Sequence, residues 1–283
     1  MARSGAMIAP SPFLDKQHNM RAALRFVVSA CLVAASAFVS ARQDETLRVN
    51  GQIVAEGGGP VRGARIRTDA LRGAMARPFG GQREFRASAD DNGEWSLLGV
   101  TRGLWILEIS ARDHLPAAVV VPISMMLKPM PIPWDTSLAL LPVVAILPAD
   151  APKNAPERFI LDAAEKVAGG DLRAARQALQ KLSGVSLNAG GLASAGDIAL
   201  LVRDPAMARR FFELASTAAP EWYRPKLGIA SAAMLTFDVD RAMKAYAAAR
   251  AATTNKRLEV MLSSAIKDLQ QIRSVGLLDP PGL

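Results

Sequence analysis

Between residues 47 and 147 the apolar positions come in short runs, many alternating with polar ones. Leu47, Val49 and Ile53 share one side of LRVNGQI, and Arg65–Thr68, Glu84–Ala87, Trp95–Leu97 and Trp105–Ile109 continue the pattern. A period of two places one set of side chains on the buried face of a strand. Gly57–Pro60, Gly80-Gly81, Asn92-Gly93 and Arg102-Gly103 separate the runs, and Asn-Gly between alternating runs is a strong hairpin signal. Two denser apolar stretches, Ala118–Ile123 and Ser137–Leu147, read as buried strands joined by a Met/Pro-rich connection. Prolines at 122, 129, 131, 133, 142 and 148 forbid a regular helix there. An antiparallel β-sandwich is expected over 46–147.

Beyond a Pro/Ala linker at 148–156 the period changes. Gly and Pro thin out, alanine dominates, and three segments overlay. Asp171, Asp204 and Asp238 recur at intervals of 33 and 34 residues, followed at a constant offset by Ala175, Ala208 and Ala242. Four residues later stand Leu179, Phe212 and Tyr246. Each aspartate is placed to accept the free amides of a helix's first turn. Each alanine permits close helix–helix approach, and each large residue fills the space between. Lys256–Arg273 reads as a closing amphipathic helix, with Leu258, Leu262, Ile266, Leu269 and Ile272 on one stripe. A tail follows over 274–283. The fold class expected is multidomain α and β, an antiparallel sandwich followed by all-α helical hairpins over 157–273.

Two resemblances rest on these residues. Gly51, Pro60–Ala64, the D-x-x-G-x-W-x-L element at Asp90–Leu97 and the turn Gly99–Gly103 together resemble the carboxypeptidase regulatory-like domain, a transthyretin-like β-sandwich. The period near 34 with its small-then-large pattern resembles degenerate tetratricopeptide repeats. The middle repeat fits best, with Gly196, Ala208, Phe212, Ala215 and Pro220; the first has Leu182 where the later alanine would stand, and the third has Thr254 in place of a proline. The second resemblance implies a concave groove that takes extended partner segments. Carried over by position, its lining includes Glu157, Ile160, Asp197, Leu200, Arg224, Leu227 and Ser231.

The N-terminus changes where this protein is expected to act. A basic start at Met20–Arg25 leads into an uncharged apolar run, Phe26–Val39, and a small-x-small end at Val39–Ala41. That is the layout of a signal peptide over residues 1–41. Cys31 stands near the start of the apolar run, where a lipidated cysteine would end it. Once residues 1–41 are removed the chain has no cysteine and one histidine, His114. Its stability then rests on its cores. The formal charge of the full chain is +8, with the arginines spread along it. No nucleic-acid partner is expected from that distribution.

Candidate chemistry is sparse. Asp90, Asp91, Asn92 and Glu94 carry oxygen ligands, but one tight turn cannot wrap a cation that needs six to eight of them. His114 alone cannot supply a catalytic zinc set. Gly57–Gly59 lacks the following Lys-Ser/Thr of a phosphate loop. No catalytic residue, metal or cofactor is expected. The insert Ala70–Arg83 reads as a surface loop. The expectation is a bacterial-type exported, non-enzymatic interaction protein of the periplasm or cell envelope. Trp95, Trp105, Trp134 and Trp222 could stack on sugars if exposed, but Trp95 and Trp105 lie within strand patterns and read as core. The alternative is a glycan-binding accessory protein acting through exposed aromatics of the sandwich.

Overall fold

The computed structural model describes residues 47–71, 84–100, 103–123 and 134–274. The signal peptide with Cys31, most of the insert, the Met/Pro connection and the tail from 275 lie outside the described residues.

Among the described residues, seven strands form two sheets. They are β1 Leu47–Ala55, β2 Arg65–Ala70, β3 Glu84–Ser88, β4 Glu94–Val100, β5 Gly103–Ser110, β6 Ala117–Ile123 and β7 Trp134–Leu140. One sheet has the order β4-β1-β7 and the other β3-β2-β5-β6. Alternation behaves as read: Ile66 and Thr68 are buried while Arg65 and Arg67 are exposed, and Trp95 and Leu97 point inward from β4.

Three strand expectations need correction. The Asp90–Gly93 turn exists, but β3 and β4 belong to different sheets, so it is a crossover and not a hairpin. The reason is local: the Ile53 amide donates to the Gly93 carbonyl at 2.8 Å, which seats the turn against β1 and hands β4 to that strand. Next, β7 runs parallel to β1, with Val49 opposite Trp134. Its predecessor β6 lies in the other sheet, so no tight turn forces antiparallel entry. Finally, the strand expected over Ser137–Leu147 stops at Leu140. Pro142 has no amide for the ladder, and Val143–Ile146 forms a single helical turn, α1, that buries Ile146.

The helical half is the expected series of hairpins: α2 Glu157–Ala168, α3 Leu172–Gln180, α4 Ala189–Leu201, α5 Pro205–Ala218, α6 Tyr223–Leu235, α7 Val239–Ala252 and the closing α8 Lys256–Ser274. The repeating aspartates cap α3, α5 and α7. Asp171 accepts from the Ala174 amide at 2.9 Å, Asp204 from Met207 at 3.1 Å and Asp238 from Arg241 at 3.1 Å. Ala175, Ala208 and Ala242 are fully buried, as are Phe212 and Tyr246. The small-to-large contact is tightest at Phe212. A Cβ on Gly196 of α4 would stand 2.8 Å from its ring, and one on Gly228 of α6 would overlap it. Buried apolar residues of both halves join in one contiguous core.

Alanine ordinarily favours a helix over glycine by about 1 kcal/mol. At Gly228 overpacking against Phe212 outweighs that gain. Gly228→Ala is expected to lower unfolding free energy by about 1–3 kcal/mol in urea denaturation. A neutral or stabilising result would show that α5 and α6 have slack here.

Candidate functional site

The face on which the groove residues lie is organised by strand β6. Its inner edge pairs with β5, and it forms the last strand of its sheet. An edge strand exposes a row of unpaired amides and carbonyls. Here side chains from the helices meet that row. The Ala118 amide donates to Asp197 Oδ1 on α4 at 3.3 Å, and the Val120 amide donates to Ser231 Oγ on α6 at 3.1 Å. The Ser231 hydroxyl donates onward to the Leu227 carbonyl at 3.0 Å. Tyr246 of α7 donates from its hydroxyl to the Val120 carbonyl at 2.7 Å. The next outward position is Pro122, which has no amide to satisfy. All seven residues of β6 are buried.

Asp197 and Arg224 extend this contact to the second sheet. Arg224 Nη2 donates to Asp197 Oδ2 at 2.5 Å, and its Nη1 donates to the Ala139 carbonyl on β7. The two residues are 3% and 8% exposed. Burial pushes the Asp197 carboxyl above the ordinary carboxylate range, against the pull of Arg224 and the Ala118 amide. Burial also works against the Arg224 charge, but Asp197, Tyr223 and Glu56 outweigh it and keep the guanidinium protonated. Between these side chains and the sheets only about 10 Å³ of space remains. No peptide segment fits there.

Three polar contacts ring this centre. Trp222 Nε1 donates to Glu56 at 2.8 Å. Glu108 on β5 accepts from Arg203 at 2.9 Å and from Arg67 at 2.8 Å. Arg257, at the start of α8, forks between two carboxylates: Glu94 at 2.7 and 3.0 Å, and Asp135 at 2.8 Å through two nitrogens. Those hydrogen bonds hold its pKa above the ordinary arginine value.

Six of the seven residues assigned to the groove are therefore buried. Asp197, Arg224 and Ser231 do contact an extended segment, but it belongs to the protein's own sandwich. Ile160, Leu200 and Leu227 are core residues, and Glu157 is half-exposed at the start of α2. Tyr246, read from sequence as a filler between helices, also reaches β6. The Arg257 fork had no local signal, since its partners lie 122 and 163 residues away.

The acidic cluster around Asn92 disperses. Asp90 Oδ1 accepts from the Asn92 and Glu94 amides at 2.8 and 2.9 Å and so closes the turn. Asp91 pairs with exposed Arg62 at 2.8 Å, and Glu94 belongs to Arg257. Among the described residues no cluster of three or more His, Cys, Asp or Glu is disposed to hold a metal. His114 Nδ1 lies 2.8 Å from the Arg112 carbonyl. The glycan alternative finds no support: Trp95 and Trp105 are 4% and 2% exposed, Trp222 is bound to Glu56, and the side chain of Trp134 lies outside the described residues. Among the described residues no helix is long and apolar enough to cross a membrane.

No family model and no curated protein matches the chain. Among solved structures, the helical half is similar to PcrH from Pseudomonas aeruginosa, with 15% identity, 43% of this chain and 94% of that one covered, and a TM-score of 0.35. It is also similar to the TPR domain of Sgt2 from Aspergillus fumigatus, with 17% identity, coverage of 47% and 89%, and a TM-score of 0.38. A third similarity is to hydroxyquinol 1,2-dioxygenase from Pseudomonas putida DLL-E4, with 12% identity, coverage of 34% and 56%, and a TM-score of 0.26.

Arg224→Ala strands a buried carboxylate and is expected to cost about 3–5 kcal/mol in denaturant unfolding. Pairing it with Asp197→Asn, which keeps an acceptor for the Ala118 amide, is expected to recover part of that loss. Equal losses in the single and double variants would mean that Asp197 is not the partner that matters. The chain's two tyrosines report on the same contact. Burial raises the Tyr223 pKa from 10.0 to about 12 and raises that of Tyr246 as well. A raised phenol pKa contributes stability that is complete below the unfolded value of 10.0 and is lost as pH rises through the folded one. Spectrophotometric titration of the native protein is expected to show little phenolate until the chain unfolds in strong alkali. Free ionisation of both near pH 10.0 would mean that the helices do not seal β6.

Proposed function

We propose that this chain is a bacterial-type exported, non-enzymatic scaffold that binds a segment of a partner protein through its helical repeats at the periplasm or cell envelope. The export reading rests on the basic start and apolar run of residues 20–41. The observation that carries the rest is the engagement of the repeat face formed by α4 and α6. Asp197, Arg224, Ser231 and Tyr246 are committed to β6 and β7, which binds sandwich and repeats together. Buried polar residues of this kind often serve catalysis, but here the hydrogen bonds they make go to backbone and to each other. The repeat surface left for a partner is the outer one, built by α3, α5 and α7.

The test is photo-crosslinking in a bacterial host. A photoreactive residue is placed in turn on the outer face of α5, on the outer face of α7 and at Arg86 on β3, with fractionation and N-terminal sequencing of the product. Adducts from the helices in the envelope fraction, with a mature chain starting near residue 42, are expected. Adducts from Arg86 alone would reassign the binding to the sandwich. A mature chain starting before residue 30 would end the export reading.

A further inference from the structure

The repeats are not equal in length. Helix α3 has 9 residues, whereas α5 and α7, its counterparts in the next two repeats, have 14 each. The shortening has a local cause. After Gln180 the chain tightens into successive three-residue turns, with the amides of Lys181, Leu182 and Ser183 donating to the carbonyls of Ala178, Leu179 and Gln180. Gly184 then adopts a φ of +81°, a left-handed conformation that ends a helix and that glycine adopts at little cost. This break falls where Leu182 replaces the alanine found at the matching position of the other two repeats.

A shortened α3 leaves the flank of α5 uncovered. Between that flank and the loop 181–188 lies a cleft of about 390 Å³, within the roughly 300–1,000 Å³ common for ligand sites. Leu182, Leu192 and Phe211 form a buried floor, with Met207 partly buried beside them, and Leu214 stands at the mouth, 47% exposed. Arg210 is the one charged residue in the lining. It is exposed and makes no hydrogen bond or ion pair among the described residues. The nearby cations are otherwise engaged. Lys181 lies over the Phe159 ring, and Arg176 is held by the Val202 carbonyl and Asp204.

The geometry points to this cleft, and not to the concave face, as the place where the repeats take a partner: a short protein segment with apolar side chains next to an aspartate or glutamate. The apolar floor selects the apolar side chains. Arg210, a lone cation at an otherwise uncharged mouth, selects the carboxylate. This rests on the scaffold reading above and names its site and the chemistry of its partner.

The test is selection of a random short-peptide phage library on the full mature chain, with Leu214→Asp and Arg210→Glu as comparison targets. Leu214 is half-exposed and Arg210 exposed, so both variants are expected to keep the parent's melting temperature. Enriched peptides are expected to pair apolar residues with Asp or Glu and to lose about tenfold or more in affinity on Leu214→Asp. Arg210→Glu is expected to cost about two- to fivefold, as for an exposed ion pair, and to be rescued when the peptide acid is replaced by lysine. Peptides bound equally by Leu214→Asp, peptides indifferent to Arg210→Glu, or no enrichment at all would each overturn the proposal. Self-association of the unliganded chain that Leu214→Asp abolishes would overturn it in favour of a second copy. Decanoate binding with no peptide selected would overturn it in favour of an amphiphile. Crosslinks to an envelope partner that persist in Leu214→Asp would leave the scaffold reading intact and remove only this site. Absence of any partner from every crosslinking position would instead remove the scaffold reading itself.

Discussion

Strand β6 ends a sheet, and an unsealed edge of apolar residues is a template for pairing with another chain. Three of its outward backbone groups are met one by one, by Asp197, Ser231 and Tyr246, and Pro122 removes the next amide from the problem. Short or charged edges are the usual protection. Here the protection is a whole helical array, and the rest of the molecule follows from that arrangement. The face formed by α4 and α6 is the surface that packs over the edge. The sandwich and the repeats consequently share one core.

The polar groups in that contact contribute differently. The Asp197–Arg224 pair is buried, and desolvation offsets much of its Coulomb attraction, so its main contribution is geometric. It ties α4 and α6 to β6 and β7, since Asp197 accepts from the Ala118 amide and Arg224 donates to the Ala139 carbonyl. Arg257 does the same at the periphery with more water present, joining Glu94 and Asp135, on the two outer strands of the β4-β1-β7 sheet, to α8. Such exposed pairs contribute little stability individually. The apolar area beneath them supplies most of the binding between the halves.

Helices α4 and α6 are committed to the sandwich, and the outer helices α3, α5 and α7 keep exposed surface. The shortened α3 leaves apolar surface of an outer helix exposed in a recess, and the departure of the first repeat from the pattern gains a structural meaning. The acidic cluster at Asp90–Glu94 loses one. Its carboxylates serve a turn, a surface pair and a clamp, and they face in different directions.

By itself the sequence determined the elements that depend on neighbours within a few residues. Alternation placed β2, β4 and β5, the recurring aspartates placed the starts of α3, α5 and α7, and the alanine–large-residue spacing placed the hairpin contacts. Gly196 against Phe212 was legible because both sit in a repeating pattern. What only tertiary structure decided were the contacts whose partners are far apart in the chain. The hydrogen bonds that seal β6 span 79, 111 and 126 residues. No local period encodes which strand will lie against Ser231 or Tyr246. The parallel entry of β7, the crossover at Asp90–Gly93 and the filling of the groove share that cause. Local pattern specifies which residues can be buried, and the packing of distant elements selects what they are buried against.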